Sequence, residues 1–142
     1  MNLYGFPQAP QSEISMTHTT LGMLGELTIA SALQRYGFKT YQPAERQQGD
    51  LVAAIPGVDA KRIEVKTAKR GSRGSFQFCL RREKSAGYPK TDHRDSDFLV
   101  LLCVENDFSV VGFLMPVSAV SSKKIEFRDP FNCKFKQYLA WQ

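Results

Sequence analysis

The chain has 142 residues, 42% of them hydrophobic and 23% charged, with a formal net charge of +5. This length suits one domain with a sizeable core, and the proportions are those of a globular protein, not of a disordered or fibrous one. The longest apolar run, Phe98 to Val104, is seven residues, too short for a membrane-crossing helix, which needs ~20.

The first residues show no basic stretch followed by an apolar one, so no secretory signal is read. The three cysteines, Cys79, Cys103 and Cys133, are odd in number and lack zinc spacing. They fit free thiols in a reducing compartment, and a cytoplasmic location is expected.

In chain order, residues 1–16 read as an N-terminal arm without periodicity. Thr17, Thr19 and Thr20 offer an N-cap for a helix running to about Tyr36, with Gly37 as its stop. On that helix Glu26 shares a face with Ile29, Ala30 and Leu33. A carboxylate on a buried stripe needs a partner: a metal, a metal-held water, or a lysine. Phe38 to Gln42 reads as a strand ended by Pro43, and Glu45 to Gln48 as a polar loop.

Two runs then bracket Pro56-Gly57: Gln48-Gly49-Asp50-Leu51-Val52, and Arg62-Ile63-Glu64-Val65-Lys66-Thr67. The Pro-Gly pair is a turn signal, so Asp50 to Ile55 and Lys61 to Thr67 read as an antiparallel hairpin. Alternation puts Glu64 and Lys66 on one face, with Ile63 and Val65 on the other. Closing the hairpin about residues 57 and 58 brings Asp50 opposite Glu64 to Lys66. Two carboxylates and an ammonium at one spot make a site for a divalent cation, a water and a phosphate.

Lys69 to Ser75 is expected to be a flexible basic loop. Phe76 to Leu80 is short and extended, with Phe76 and Phe78 on one face. Arg81 to Asp95, polar and containing Gly87 and Pro89, reads as mobile and partly disordered. Phe98 to Val104 has the uniform apolarity of a central strand buried on both faces. Asn106-Asp107 is a turn, Val110 to Met115 the returning strand, and Pro116 its end. Val117 to Ser121 suits a short helical turn, Lys124 to Phe127 an edge strand, and Phe131 to Trp141 a terminal helix or arm. The order predicts an α/β domain with a mixed sheet.

Residues 61–94 carry eleven Lys or Arg against three acids, a net +8, which leaves −3 on the rest of the chain. A basic block on a mildly acidic body is the footprint of a polyanion-binding face. Its candidate phosphate ligands are Lys69, Arg70, Arg73, Arg81, Arg82, Lys84, Lys90 and Arg94, with Thr67 as a hydroxyl donor. His93 reads as a surface histidine and His18 as structural or exposed. Core packing is expected for Tyr36, Tyr41 and Phe76, while Tyr88 is a candidate for stacking on a base.

Glu26 on a helix, Gly49-Asp50, the turn and Ile63-Glu64-Val65-Lys66-Thr67 together resemble the PD-(D/E)XK nuclease superfamily. Within it the chain is most similar to archaeal-type Holliday junction resolvases and intron-associated (homing) endonucleases. The resemblance covers roughly residues 20–120, with Gly49 where the family name has Pro. It implies a restriction-endonuclease-like core, a mixed β-sheet flanked by helices, occupying 1–142 as a single nuclease domain with a basic insert at 69–95.

Phosphodiester hydrolysis needs a nucleophilic water and relief of developing negative charge, which Mg²⁺ supplies. Mg²⁺ takes oxygen ligands and keeps several waters. Asp50 and Glu64 are the expected ligands, with the Val65 carbonyl as a possible third and Mn²⁺ as a substitute ion. Lys66 would orient the attacking water, and Glu26 would act through a water or complete a second metal site. The family gives these matching positions the same roles. The leading expectation is a homodimeric or larger Mg²⁺-dependent DNA endonuclease of homing type, with site-specific duplex cleavage. The alternatives are a Holliday junction resolvase, a non-catalytic DNA-binding module, and a toxin or defence nuclease acting on RNA.

Overall fold

A computed structural model describes residues 5, 18–42, 50–54, 57, 59–87 and 90–142, with backbone only at His18, Thr19 and Asp50. The rest of the expected arm, the Glu45–Gln48 loop, Gly49, Pro56 and Tyr88 lie outside the described residues.

The helix α1 spans His18–Arg35. It ends where expected: Phe38 N–H donates to the Leu33 carbonyl at 3.2 Å and Gly37 N–H to the Gln34 carbonyl at 3.0 Å. This pairing closes the orphaned last carbonyls and requires a left-handed residue between them. Gly37 fills that position with φ of 90°.

Ten strands follow. They are β1 (Lys39–Tyr41), β2 (Asp50–Ala54), β3 (Lys61–Lys69), β4 (Phe76–Cys79), β5 (Arg81–Arg82), β6 (Thr91–Asp92), β7 (Phe98–Val104), β8 (Val110–Pro116), β9 (Lys124–Phe127) and β10 (Leu139–Trp141). The main sheet has the order β1-β2-β3-β7-β8-β10. Only β3 and β7 pair in parallel; every other neighbour is antiparallel, so the sheet is mixed. The parallel register, Ile63 beside Phe98 through Lys69 beside Val104, is pinned at its start. There Arg62 N–H donates to the Asp97 carboxylate and Asp97 N–H to the Arg62 carbonyl, both at 2.9 Å. Phe98–Val104 is buried along nearly its whole length, as its uniform apolarity predicts.

Alternation along β3 sorts the core into two layers. Ile63 and Val65 pack with Ile29 and Leu33 of α1 and with Leu51, Ala53, Val100 and Leu102. Ala68, on the opposite face with Glu64 and Lys66, packs with Leu99, Leu101, Phe113, Met115 and the inward side chains of β4 and β9. Each fully buried Phe or Leu here stabilises by about 1.5–3 kcal/mol. Phe76, Phe78, Phe113 and Phe135 surround Phe127 with ring centroids 5.7–6.4 Å away.

The fold is α/β with a mixed sheet and a helix packed on it, as expected. Among the described residues α1 is the one α-helix, and the β4–β9 pair covers the opposite face. In the segment read as mobile, the described residues at both ends form regular structure instead. β5 pairs with β6, and His93 opens a 3-10 turn over His93–Asp95. His93 is fully buried rather than exposed, its Nε2 2.9 Å from the Val120 carbonyl. Tyr36 and Tyr41, expected in the core, are exposed. The terminal segment is not a helix: it makes a 3-10 turn at Lys136–Tyr138 and then β10, with Trp141 lying over Gly112. Aromatic composition without a helical period left that choice open, and an available edge on β8 decided it.

Gly25 seats α1 on β3. A Cβ built there would stand 1.8 Å from Thr67 Oγ1 and 3.0 Å from its Cβ. Replacing Gly25 by Ala should therefore destabilise by about 1–3 kcal/mol through overpacking, despite a gain of ~1 kcal/mol in helix propensity. Adding Thr67→Ala should restore most of the loss. Urea unfolding of the two variants checks this; equal stability of wild type and Gly25→Ala would contradict the seating.

Candidate active site

The hairpin register sets the site. Asp50 stands directly opposite Glu64 in the β2–β3 ladder, followed by Leu51 with Ile63 and Val52 with Arg62. Directly opposed positions share one face of a sheet. Glu64 is buried, and the Lys66 ammonium lies 3.0 Å from its carboxylate, with side-chain exposures of 8% and 18% respectively. A charge so removed from water is costly unless paired, and the neighbour two residues along the strand supplies the pair. The Val65 side chain faces the α1 layer with Ile63.

Glu26 is buried on α1, at 2% exposure, between Gly25 and the apolar Ile29. The Gly25–Thr67 contact brings this helix turn to the level of β3 at which Lys66 stands. Thr67 Oγ1 is itself buried and finds no hydrogen-bond partner among the described residues.

An open cleft of about 620 Å³ begins at Lys66 and is lined by Thr67, Lys69, Arg73, Gln77 and Cys79, among others. Beyond Glu64, among the described residues, β3 is paired on its β7 side alone, and the cleft follows that half of the strand. Of the expected phosphate ligands, Lys69 and Arg73 line the cleft with exposed side chains, whereas the Thr67 hydroxyl, expected as a donor, is buried against Gly25 and does not face it. Arg82, Lys84 and Lys90 are exposed. Arg94 is exposed but paired with Asp92 at 2.7 Å, and Arg81 donates to the Ser121 carbonyl at 2.5 Å. The Arg94 guanidinium holds the Asp92 carboxyl well below the usual range.

Arg70, expected on a phosphate, is engaged inside the chain. Its guanidinium forks onto Glu105 at 2.7 and 2.5 Å and donates to the Gly74 carbonyl at 2.7 Å. It also donates to the Arg128 carbonyl at 3.0 Å and lies 4.4 Å over the Phe76 ring. The loop read as flexible is thus clamped, with Gly71 N–H donating to the Ser75 carbonyl at 2.8 Å. Glu105 and Gln77 escaped the sequence reading. The alternation of Phe76 and Phe78 already implied that Gln77 faces outward; the pairing across 35 residues of Arg70 with Glu105 left no local trace.

Among the described side chains, which leave out Asp50, no three His, Cys, Asp or Glu gather into a metal cluster. The register places the positions of Asp50 and Glu64 opposite each other, and these residue types fit Mg²⁺, which takes one or two protein carboxylates and keeps its waters.

The fold is similar to that of a bacterial homing endonuclease. The structure of that enzyme, I-Ssp6803I, matches with a TM-score of 0.63 at 15% identity, over 84% of this chain and 86% of that one. No family model and no curated protein matches the sequence. Among the described residues, no helix is long and apolar enough to cross a membrane.

The hydrogen bonds from Arg70 hold the Glu105 carboxyl below its usual value of 4.5. A depressed folded-state value means that the unfolded chain takes up the proton first as pH falls. The stabilisation is therefore complete above about pH 4.5 and lost as pH drops through the depressed value. Glu105→Gln should lower stability at neutral pH by about 2 kcal/mol and remove this part of the acid sensitivity. Thermal unfolding from pH 7 to pH 3 measures both.

Proposed function

We infer that the chain is a metal-dependent DNA endonuclease of the PD-(D/E)XK type, cutting duplex DNA at a specific site. The observation that carries this reading is the placement of Asp50 opposite Glu64 with Lys66 3.0 Å from Glu64. The cleft leading away from Lys66 supports it, as does the likeness in fold to a homing endonuclease. That likeness favours duplex cleavage over junction resolution.

In this reading Asp50, Glu64 and the Val65 carbonyl would hold Mg²⁺, or Mn²⁺ in its place. The ion, when bound, supplies Lewis acidity to the scissile phosphate. Lys66 is a compact cation with three donors; it orients the attacking water and offsets charge developing on the phosphate. Glu26 takes up a water from the helix side or completes a second ion site. Lys69 and Arg73 hold the strand's phosphates along the cleft, fixing register without reading sequence. Cutting both strands calls for two such sites, and hence a homodimer or larger assembly.

Incubation of the full chain with linear duplex libraries and four-way junctions in Mg²⁺ tests the reading. Cleavage of duplex DNA is expected, abolished by chelation and lowered on the order of 10³-fold by Asp50→Ala, Glu64→Ala or Lys66→Ala. Absence of metal-dependent cleavage on every DNA substrate would overturn it; preference for junctions would move it to the resolvases.

A further inference from the structure

Strands β4 and β9 form a two-stranded antiparallel ribbon outside the main sheet. Phe76, Phe78 and Ile125 point into the core, so the other face must point out. That outer face presents Gln77 opposite Glu126 and Cys79 opposite Lys124, all four exposed. Outside the backbone ladder, the side chains of Gln77, Lys124 and Glu126 make no hydrogen bond or ion pair with any described residue. Three polar heads of different chemistry thus stand idle on one rigid face. A shallow recess of about 330 Å³ runs between them.

This face is continuous with the candidate active site. Gln77 and Cys79 line the cleft that begins at Lys66. Exposed cations bracket the ribbon: Arg73 and Arg128 near one end, Arg82 and Lys123 near the other. Leu80 and Arg81 N–H both donate to the Lys123 carbonyl, at 2.8 and 3.3 Å, which carries the pairing past the strand ends.

We propose that the β4–β9 ribbon enters the major groove of DNA and reads base edges with Gln77, Lys124 and Glu126. The proposal rests on the nuclease reading of the neighbouring site. The major groove, about 12 Å wide, admits a two-stranded ribbon. Alternate residues on a strand are about 6.6 Å apart, close to two base-pair steps of about 3.4 Å each. Each head has a matching base edge: Gln pairs with adenine N6 and N7, Lys with guanine O6 and N7, and Glu accepts from cytosine N4. A carboxylate facing a polyanion is a liability for affinity alone, whereas it rejects acceptor-only edges. Glu126 therefore suits discrimination and does not suit phosphate binding. The bracketing cations supply the backbone contacts.

Selection of bound sequences from a random duplex library, in Ca²⁺ in place of Mg²⁺, tests the ribbon without requiring cleavage. The wild-type chain should enrich a preferred sequence. Gln77→Ala, Lys124→Ala and Glu126→Ala should each relax one or two adjacent positions and weaken binding to the preferred site by on the order of ten-fold. Gln77→Arg should move the preference at its position toward guanine. Arg73→Ala should weaken all sequences alike and reduce the salt slope by about one. Unfolding curves check that these exposed substitutions leave the fold intact. A wild-type preference that survives all three alanine variants, or wild-type binding with no preference, would overturn the ribbon while leaving the nuclease reading. Failure of the wild type to bind DNA at all would overturn both.

Discussion

Side-chain alternation along β3 is the constraint on which the rest depends. Its odd residues, Ile63 and Val65, belong to the layer under α1. Its even residues, Glu64 and Lys66, face the ribbon side and the cleft. A slip of one residue would exchange the two sets, drive a carboxylate and an ammonium beneath a helix and put aliphatic side chains where the site's charges stand. Two independent locks oppose such a slip. The hairpin fixes Asp50 against Glu64, and the reciprocal Arg62–Asp97 bonds fix β3 against β7. The second lock also shields the strand, because Leu99 and Leu101 rise beside it with no exposure.

The basic block is not one surface. Folding divides its cations by the company each keeps. Arg70 and Arg94 are tied to carboxylates, and Arg81 to a backbone carbonyl. Lys69 and Arg73 are left along the cleft. The division has a physical logic: a forked guanidinium matches a carboxylate better than an ammonium does, so arginines do the internal tying. The clamp at Arg70 holds the Gly71–Ser75 turn in place, and that turn carries Arg73 on the cleft wall. The internal bonds of one arginine thereby decide where another one sits.

Much of this was legible in the sequence wherever the determinants are local. The Pro-Gly turn and alternating residues implied the hairpin and its register, observed as Asp50 opposite Glu64. Gly37 marked the helix end, and the uniform apolarity of 98–104 marked the central strand. What could not be read depends on partners far along the chain. β4 finds β9 some fifty residues later, Arg70 finds Glu105, and His93 is buried against Val120. The strands show locally but their partners do not, and the polar composition around Arg70 and His93 does not distinguish a mobile loop from one tied down at a distance. The terminal aromatics carried no period, so only the free edge of β8 could tell strand from helix.

The parallel pairing of β3 with β7 carries a consequence for how the molecule is assembled. The β2–β3 hairpin closes over a short turn, and such closures take microseconds. Joining β7 to β3 requires a crossover from Arg70 to Asp97 to be gathered in first, and loop-closure entropy must be met before those contacts repay it. The charged residues of the hairpin therefore come together while still bathed in solvent. Their desolvation, and with it any sharpening of their mutual electrostatics, arrives late, when Leu99 and Leu101 dock. A nascent chain thus carries the charges of the site well before it carries the low-dielectric walls around them.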